Sequence, residues 1–467
     1  MNWIILSVYI AVLVVLSVVS GKKASRSPEE FFLAGRSFGP VVLFLTLAAT
    51  NFSAFFFLAF AGNAWKFGLG QYGIMGIGTA LVPISFYFIG SKVWKLGRQK
   101  GYLTAPELIG GEFSSPLLRR VVLIIMVIFT IPYLLVQAVG AGFIVSSLAG
   151  MDVTRITAIA VILVMGGVVI LGGMRGSAWT DVLQGGVMIT AMVAAVFFVA
   201  KGLGGFQAAS EKAYAASANL FMRPGPEGFF SPQKWFSYII LWSFVNPLFP
   251  QLFSRFYTAR SLKSLRVSTW LYPLLVSFLF LAPVLIGVWA NGTPVNPDRA
   301  DMILPAMVAR YAPGWVHALV MTGALAALMS TADSQLLALS TMLARDTGIK
   351  RNQITWGRLL TLGLCLLVVV LILSGFDRRM DFFSLLTRTS FAGLVVLAPA
   401  TVAALYFKKV PGWAAFTSIV AGEAAVVAIW LGWLPTFGLV AGVVALSISV
   451  FVLVAATLFH NLLPCRN

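Results

Sequence analysis

Leu47-Ala48-Ala49-Thr50-Asn51-Phe52-Ser53-Ala54 sets small, hydroxyl and amide residues in the middle of an otherwise apolar segment. Just under two hundred residues later, Trp242-Ser243-Phe244-Val245-Asn246-Pro247-Leu248-Phe249-Pro250-Gln251 interrupts a second apolar segment with two prolines three residues apart. Each proline removes an amide donor and clashes with the preceding turn. At membrane depth the backbone leaves the helix only where it is buried in protein or lines a watery cavity. Taken singly, either stretch reads equally well as a kink, because Ser and Thr bond back to the i−4 carbonyl. As a pair at matching positions of two halves, they point to a transporter site near the bilayer midplane.

The rest of the chain supports a membrane setting. Of 467 residues, 59% are hydrophobic and 10% charged, with a mean hydropathy of +0.93. Soluble domains carry about 25% charged residues, so a water-soluble globule is excluded. A spanning helix needs about 20 apolar residues, and thirteen segments qualify: 3–20, 38–66, 70–92, 118–149, 153–173, 177–201, 233–258, 267–290, 313–344, 356–375, 380–407, 412–433 and 435–459. A barrel would alternate apolar and polar residues over roughly 10-residue strands, whereas Val121–Tyr133 and Leu359–Leu373 are almost continuously apolar.

The expected fold class is therefore an all-α integral membrane protein of about thirteen spans. Each break opens a group of five spans, and an odd group makes the second half enter from the opposite side, an inverted five-plus-five repeat. The layout is an extra N-terminal helix and cytoplasmic loop (1–37), a first repeat (38–201), an extracellular loop (202–232), a second repeat (233–407), and two C-terminal helices with a tail (408–467).

Net charge is +18, from 33 Lys and Arg against 15 Asp and Glu. Threading the spans with the N-terminus outside and the C-terminus inside puts two thirds of the basic residues at cytoplasmic ends, among them Lys22, Lys23, Arg98, Arg119, Arg175, Arg255, Arg345 and Lys408. That is the bias expected of short cytoplasmic loops. The charge thus records topology, with the lipid bilayer and a small solute as partners and no nucleic acid. A bacterial or archaeal cytoplasmic membrane and a monomeric functional unit are expected. The first span lacks a basic segment before it, so it reads as retained rather than as a cleaved signal. Two cysteines and two distant histidines supply no metal cluster, and no nucleophile motif marks an enzyme.

Ionisable residues inside a membrane are functional by default. Asp181 opens the sixth span in Trp179-Thr180-Asp181-Val182-Leu183-Gln184, and Asp333 lies in Met329-Ser330-Thr331-Ala332-Asp333-Ser334-Gln335 of the ninth. Ser330, Asp333 and Ser334 share a helix face at i, i+3 and i+4, and their hard oxygens suit an alkali cation. The competing role is hydroxyl-mediated helix packing. Arg388 stands in the eleventh span, seven residues after Asp381. It either binds a substrate carboxylate with both prongs or pairs with Asp381 and snorkels outward. Glu423 and Cys365 are assigned to packing.

With these motifs in place, the chain resembles the sodium:solute symporter family over nearly its whole length. The likeness begins at Glu29-Glu30-Phe31-Phe32-Leu33-Ala34-Gly35-Arg36 and the Ala49–Ala54 break. It continues through Lys66-Phe67-Gly68, Leu103-Thr104-Ala105-Pro106-Glu107-Leu108 and Gly172-Gly173-Met174-Arg175. The most specific parts are the Trp179–Gln184 and Met329–Leu337 stretches. The resemblance implies a LeuT-type fold and sodium-driven uptake of a small organic solute by alternating access, nearest to pantothenate and monocarboxylate carriers.

It also implies a sodium ion, Na+, held by carbonyls of Ala49, Phe52 and Ala327 and by hydroxyls of Ser330 and Thr331. Some family members bind a further sodium at an Asp matching Asp181, with Asp333 and Ser334 as neighbours here. Asp333 stands where other members carry a neutral residue. That leaves three possibilities for the position: sodium, a proton, or an ion pair of Asp181 with Arg175 or Arg255. The implied solute pocket takes Asn51 and Ser53 from the first break, Tyr133 and Gln137 from the third core helix, and Asn246 and Gln251 from the second break. Thr387, Arg388 and Ser390 complete it from the tenth core helix. The apolar run Phe55-Phe56-Phe57 favours a small or partly apolar solute. The rival functions are a proton-coupled carrier of a neutral amino acid or sugar on the same scaffold, and a transporter-like sensor.

Overall fold

The computed structural model describes residues 2–74, 78–349, 351–375 and 382–462. Among them there is no β-strand, and a lone backbone bridge joins Phe38 to Ala259. The long helices are α1 (Asn2–Ala24), α2 (Pro40–Asn51), α3 (Phe55–Phe67), α4 (Gly78–Lys100), α5 (Ala105–Glu112), α6 (Pro116–Ala149) and α7 (Thr154–Gly202). After a loop segment follow α8 (Pro232–Leu248), α9 (Pro250–Thr258), α10 (Leu262–Ala290), α11 (Gly314–Asp346), α12 (Gln353–Leu373), α13 (Phe382–Tyr406), α14 (Gly412–Trp430) and α15 (Ala441–Leu462).

Local sequence explains many of the starts. Thr104 accepts the Glu107 amide at 3.1 Å, with Pro106 in the first turn. Ser115 caps α6 by accepting from Leu118, with Pro116 at its first position. Ser261 does the same for α10 through Ser264. Such caps satisfy amides that a helix leaves unpaired at its N-terminus.

Both expected breaks are present. α2 and α3 meet at 59° across Phe52-Ser53-Ala54, and α8 and α9 meet at 55° at Phe249, between the two prolines. Among the described residues, nine helices are long and apolar enough to cross a membrane, and the two bent pairs bring the number to eleven. Two features separate that number from thirteen. The expected spans 153–173 and 177–201 lie within the single element α7, whose 49 residues would run about 74 Å if straight, against a hydrocarbon core of ~30 Å. Helical geometry lapses there at Gly173 (φ 53°, ψ −154°). A Cβ at Gly173 would meet the Phe31 carbonyl oxygen at 2.7 Å, so the close passage and the positive φ both require glycine. Of the expected span 70–92, residues 75–77 lie outside the described residues, and 78–92 opens α4, which runs on through Lys95, Arg98 and Lys100 and is not among the nine.

α11 lies at the centre, packed on α6, α7 and α12, while α1 covers α7 and α14 pairs with α15. Almost every residue of α11 from Val320 to Met342 is buried. The outer helices turn Trp270, Phe278, Phe451 and Leu462 outward, each more than 70% exposed. Apolar exposure on this scale marks a surface covered by lipid or by another protein, and the length and apolarity of the helices fit lipid. The segment expected as a plain extracellular loop contains a helix, Phe206–Ala216, and ties back through the Leu220 carbonyl, which accepts from Leu69 at 2.8 Å. Arg255, counted above among cytoplasmic ends, is 0% exposed and points into the protein.

Candidate cation and solute sites

The first break releases backbone acceptors. The amides of Ala54, Phe55 and Phe56 bond to the Gln137 side-chain oxygen, the Ser53 hydroxyl and the Ser53 carbonyl. Their helical partners, the carbonyls of Thr50, Asn51 and Phe52, are left outside the helical ladder. Thr331 of α11 reaches across and donates to the Thr50 and Phe52 carbonyls at 3.1 and 3.2 Å. Ala49 lies one turn before Phe52 and Ala327 one turn before Thr331, both fully buried. Phe52 and Thr331 are thus brought together directly. Ser330 faces the other way and donates to Asp181 Oδ1 at 2.6 Å.

Asp181 sits at the meeting point of four elements. Thr46 and Thr50 of α2 bond to Oδ2, Ser330 of α11 to Oδ1, and Arg255 of α9 forms an ion pair with Oδ2 at 3.0 Å, both partners 0% exposed. The same Arg255 nitrogen reaches Ser334 at 2.6 Å and Ser177 at 2.9 Å. Asp333 accepts from Ser177 at 3.2 Å and from Ser334 at 3.1 Å, with Thr180 at 3.4 Å from its other oxygen. Of the two basic partners weighed for Asp181, Arg255 is the one in contact. Arg175 is bound to Glu30 at 3.0 Å and to the Ala34 carbonyl.

The expected solute residues separate into three groups. Asn51, Tyr133 and Asn246 line a central cavity of only about 20 Å³, walled by Phe55, Phe56, Trp242, Phe249, Phe280 and Phe391. Ser53 and Gln137 do not line it but hold the break: Ser53 is 3.1 Å from the Tyr133 hydroxyl, and Gln137 receives the Ala54 amide. Thr387 and Arg388 lie in a separate vestibule of about 810 Å³, with Lys66, Glu227, Lys234 and Thr389. Phe55 of the cavity and Phe383 of the vestibule stack at 5.3 Å, forming the partition between the two spaces. Gln251 and Ser390 are buried and their side-chain polar atoms make no hydrogen bond. Asp381, the sequence partner considered for Arg388, lies outside the described residues.

At another face, charged residues cross-link several helices around an open cavity of about 520 Å³. Glu107 pairs with Arg119 at 3.3 Å and Arg345 at 2.9 Å, and Arg119 pairs with Asp346 at 2.6 Å. Thr104 bonds to Asp346, and Tyr257 donates to the Thr104 carbonyl at 3.0 Å. Trp94 and Arg98 donate to the Ala259 carbonyl. These contacts lock α4, α5, α6, α9 and α11 together at one face.

Sequence inspection passed over Thr46, Ser177 and Tyr272. Thr46 and Thr50 are four residues apart, as are Ser177 and Asp181, so each pair shares a helix face and the signal was available. Tyr272, whose hydroxyl contacts the Asn51 amide, stands alone in an apolar span and carried none.

The sequence profile described as "Sodium:solute symporter family" matches residues 31–422. The chain is 25% identical to the sodium/pantothenate symporter of Haemophilus influenzae over 317 residues, covering 68% of this chain and 65% of that protein. The Escherichia coli sodium/pantothenate symporter is 26% identical, over 72% of this chain and 70% of its own length. The sodium/proline symporter of Staphylococcus aureus is 24% identical over 93% of this chain and 87% of its own. These relatives are transporters, not enzymes. Among solved structures, a sodium-coupled sialic acid symporter in a substrate-bound outward-open state superimposes with a TM-score of 0.81 at 17% identity, covering 98% of both chains. A nucleobase-cation-symport-1 family transporter in a closed conformation gives 0.61 at 13%, covering 93% and 95%. With the profile spanning most of its length, the chain belongs to the sodium:solute symporter family.

Proposed function

We propose that the protein is a sodium-coupled symporter importing a small organic solute by alternating access, with thirteen spans in an inverted five-plus-five arrangement and the N-terminus outside. The observation carrying this reading is the Thr331 hydroxyl set against the Thr50 and Phe52 carbonyls released by the first break. A sodium ion between them, completed by the Ala49 and Ala327 carbonyls and joined by Ser330 only if its hydroxyl turned from Asp181 Oδ1, would tie the broken helix to α11 and favour the outward-facing form. Released oxygens with no helical partner are what a hard cation replaces water with. A membrane potential supplies about 2.3 kcal/mol per charge per 100 mV, which one sodium would deliver in full to a neutral solute; with a monoanion the charges cancel and the sodium concentration gradient alone drives uptake.

The charged face holding Glu107 is the cytoplasmic gate in this scheme, and the vestibule opens outward. The solute is an organic anion such as a monocarboxylate or pantothenate. Lys66, Lys234 and Arg388 against Glu227 make the vestibule basic, and the aromatic cavity beneath suits a small, partly apolar body. The sodium/pantothenate relatives support this choice. Asn51, Tyr133 and Asn246 are the pocket's polar groups, and Gln251 and Ser390 are buried polar groups still to be satisfied.

The test is uptake of labelled pantothenate and short monocarboxylates into proteoliposomes under an inward sodium gradient, repeated with potassium in place of sodium at fixed pH. Accumulation that needs sodium is expected. Accumulation indifferent to sodium refutes the coupling, and a neutral solute taken up in preference to every anion refutes the substrate class.

A further inference from the structure

The Asp181 position has the oxygens of a cation site and already contains a cation. One guanidinium nitrogen of Arg255 lies 3.0 Å from Asp181 Oδ2, 2.6 Å from the Ser334 hydroxyl and 2.9 Å from the Ser177 hydroxyl. A second alkali ion at this position would need those same oxygens. It would also have to sit beside a fixed positive charge, since an arginine keeps its proton at any pH a protein tolerates. Burial makes the arrangement obligatory in the other direction: Arg255 and Asp181 are both 0% exposed, and an isolated charge at such a depth is strongly disfavoured unless paired.

The origin of the side chain adds to this. Arg255 belongs to α9, the second segment of one broken helix, while Thr50, 3.4 Å from the guanidinium, belongs to α2 of the other. Asp181 and Ser334 come from α7 and α11. The guanidinium therefore joins segments of both broken helices to α7 and α11, which is what a bound ion at this position would do.

We propose that the Arg255 guanidinium is the resident cation of the Asp181–Ser334 site, so that each chain binds one sodium ion, at the Thr331 position alone. The proposal rests on the sodium-coupled reading above and fixes its ion stoichiometry. The chain has exchanged a dissociable ion for a tethered one, and the charge moved per solute falls by one relative to a two-sodium carrier. Removing the tethered cation should free the oxygens for sodium.

The experiment is saturation binding of radioactive sodium, with no solute, to the purified full-length protein. The variants are Arg255→Gln, Asp181→Asn and Thr331→Ala, each checked for a monodisperse, helical product. One ion per chain is expected for the unaltered protein and for D181N, two for R255Q, and one of about tenfold weaker affinity for T331A. Two ions in the unaltered protein, or one in R255Q, overturns the proposal while leaving sodium coupling intact. Should R255Q not fold, D181N decides, because loss of its single ion would place sodium at Asp181. An unaltered protein that binds no sodium overturns the coupling reading instead. In that case an ion gained by R255Q still upholds the role of Arg255, and none gained overturns it.

Discussion

Thr331 stands 3.2 Å from the carbonyl oxygen of Phe52, across 279 residues of sequence, and joins α11 to the point where the first broken helix stops. With no ion in place, the hydroxyl proton satisfies the released carbonyl. In the proposed sodium site, the same oxygen turns a lone pair to the ion. Thr331→Ala removes one hard ligand, and a loss on the scale of one hydrogen bond, about 1–1.5 kcal/mol, lowers sodium affinity about tenfold. Thr331→Ser retains the oxygen and should retain the affinity. Sodium titration of the melting temperature, with potassium as control, reads both. Equal sodium responses in T331A and the unaltered protein would remove Thr331 from the site.

The stacked pair Phe55 and Phe383 divides the vestibule from the central cavity. Both residues are at most 4% exposed. Phe383→Ala should merge the two spaces. Expected is at least a tenfold faster reaction of a cysteine placed at Asn246 with a membrane-impermeant thiol reagent added from the vestibule side. Melting should fall, because large-to-small changes at buried Phe cost about 3–5 kcal/mol in soluble cores. A labelling rate that does not change would mean the partition lies elsewhere.

Glu107 holds the charged face by accepting from Arg119, Arg345 and the Leu103 amide at once. Glu107→Gln keeps an acceptor for Leu103 but takes the carboxylate from Arg345, while Arg119 keeps its pairing with Asp346 at 2.6 Å. The two arginines are 34% and 26% exposed, so solvent softens the effect. A bias of about 1–2 kcal/mol toward opening still changes populations some 5–30-fold. Amide exchange across residues 103–112 should accelerate about tenfold in E107Q. Exchange as slow as in the unaltered protein would show that Glu107 caps α5 without controlling the face.

The two breaks were legible because each concentrates residues that a lipid-facing helix avoids, and proline and unpaired backbone leave a mark in any sequence. The buried polar cluster was legible for the same reason, as Asp181 and Asp333 have few reasons to be in an apolar segment. Partner choice was not. Arg255 follows an apolar stretch and precedes a basic loop, so charge placement alone assigns it to a cytoplasmic end, whereas the turn at Phe249 swings α9 inward and aims the side chain at Asp181. Gln137 was similarly ambiguous. Its amide suits a solute as well as it suits the Ala54 backbone, and only the geometry of the break shows that the backbone holds it. The division between Arg388 and the Asn51 cavity depends on where Phe55 and Phe383 meet, a contact between residues more than 300 positions apart that no local pattern encodes.

Arg388 supplies the sharpest test of the solute's charge. It lines the vestibule beside Lys234, whose ammonium lies 4.2 Å from the Phe229 ring centre. Its own backbone is anchored, because the Trp430 indole donates to the Arg388 carbonyl at 2.7 Å. The side chain can therefore be exchanged without releasing the helix end. If an anion enters here, the guanidinium offers a two-pronged contact to a carboxylate, and the basic rim raises the local anion concentration in a way that salt weakens. Arg388→Gln should raise KM for an anionic solute about tenfold and flatten its dependence on ionic strength, while leaving the sodium response unchanged. Arg388→Lys keeps the charge without the fork and should fall between, retaining the salt dependence but not the full affinity. A KM unaltered in R388Q, in protein that reaches the membrane, would take Arg388 out of the solute's path and leave the aromatic cavity alone to choose the substrate.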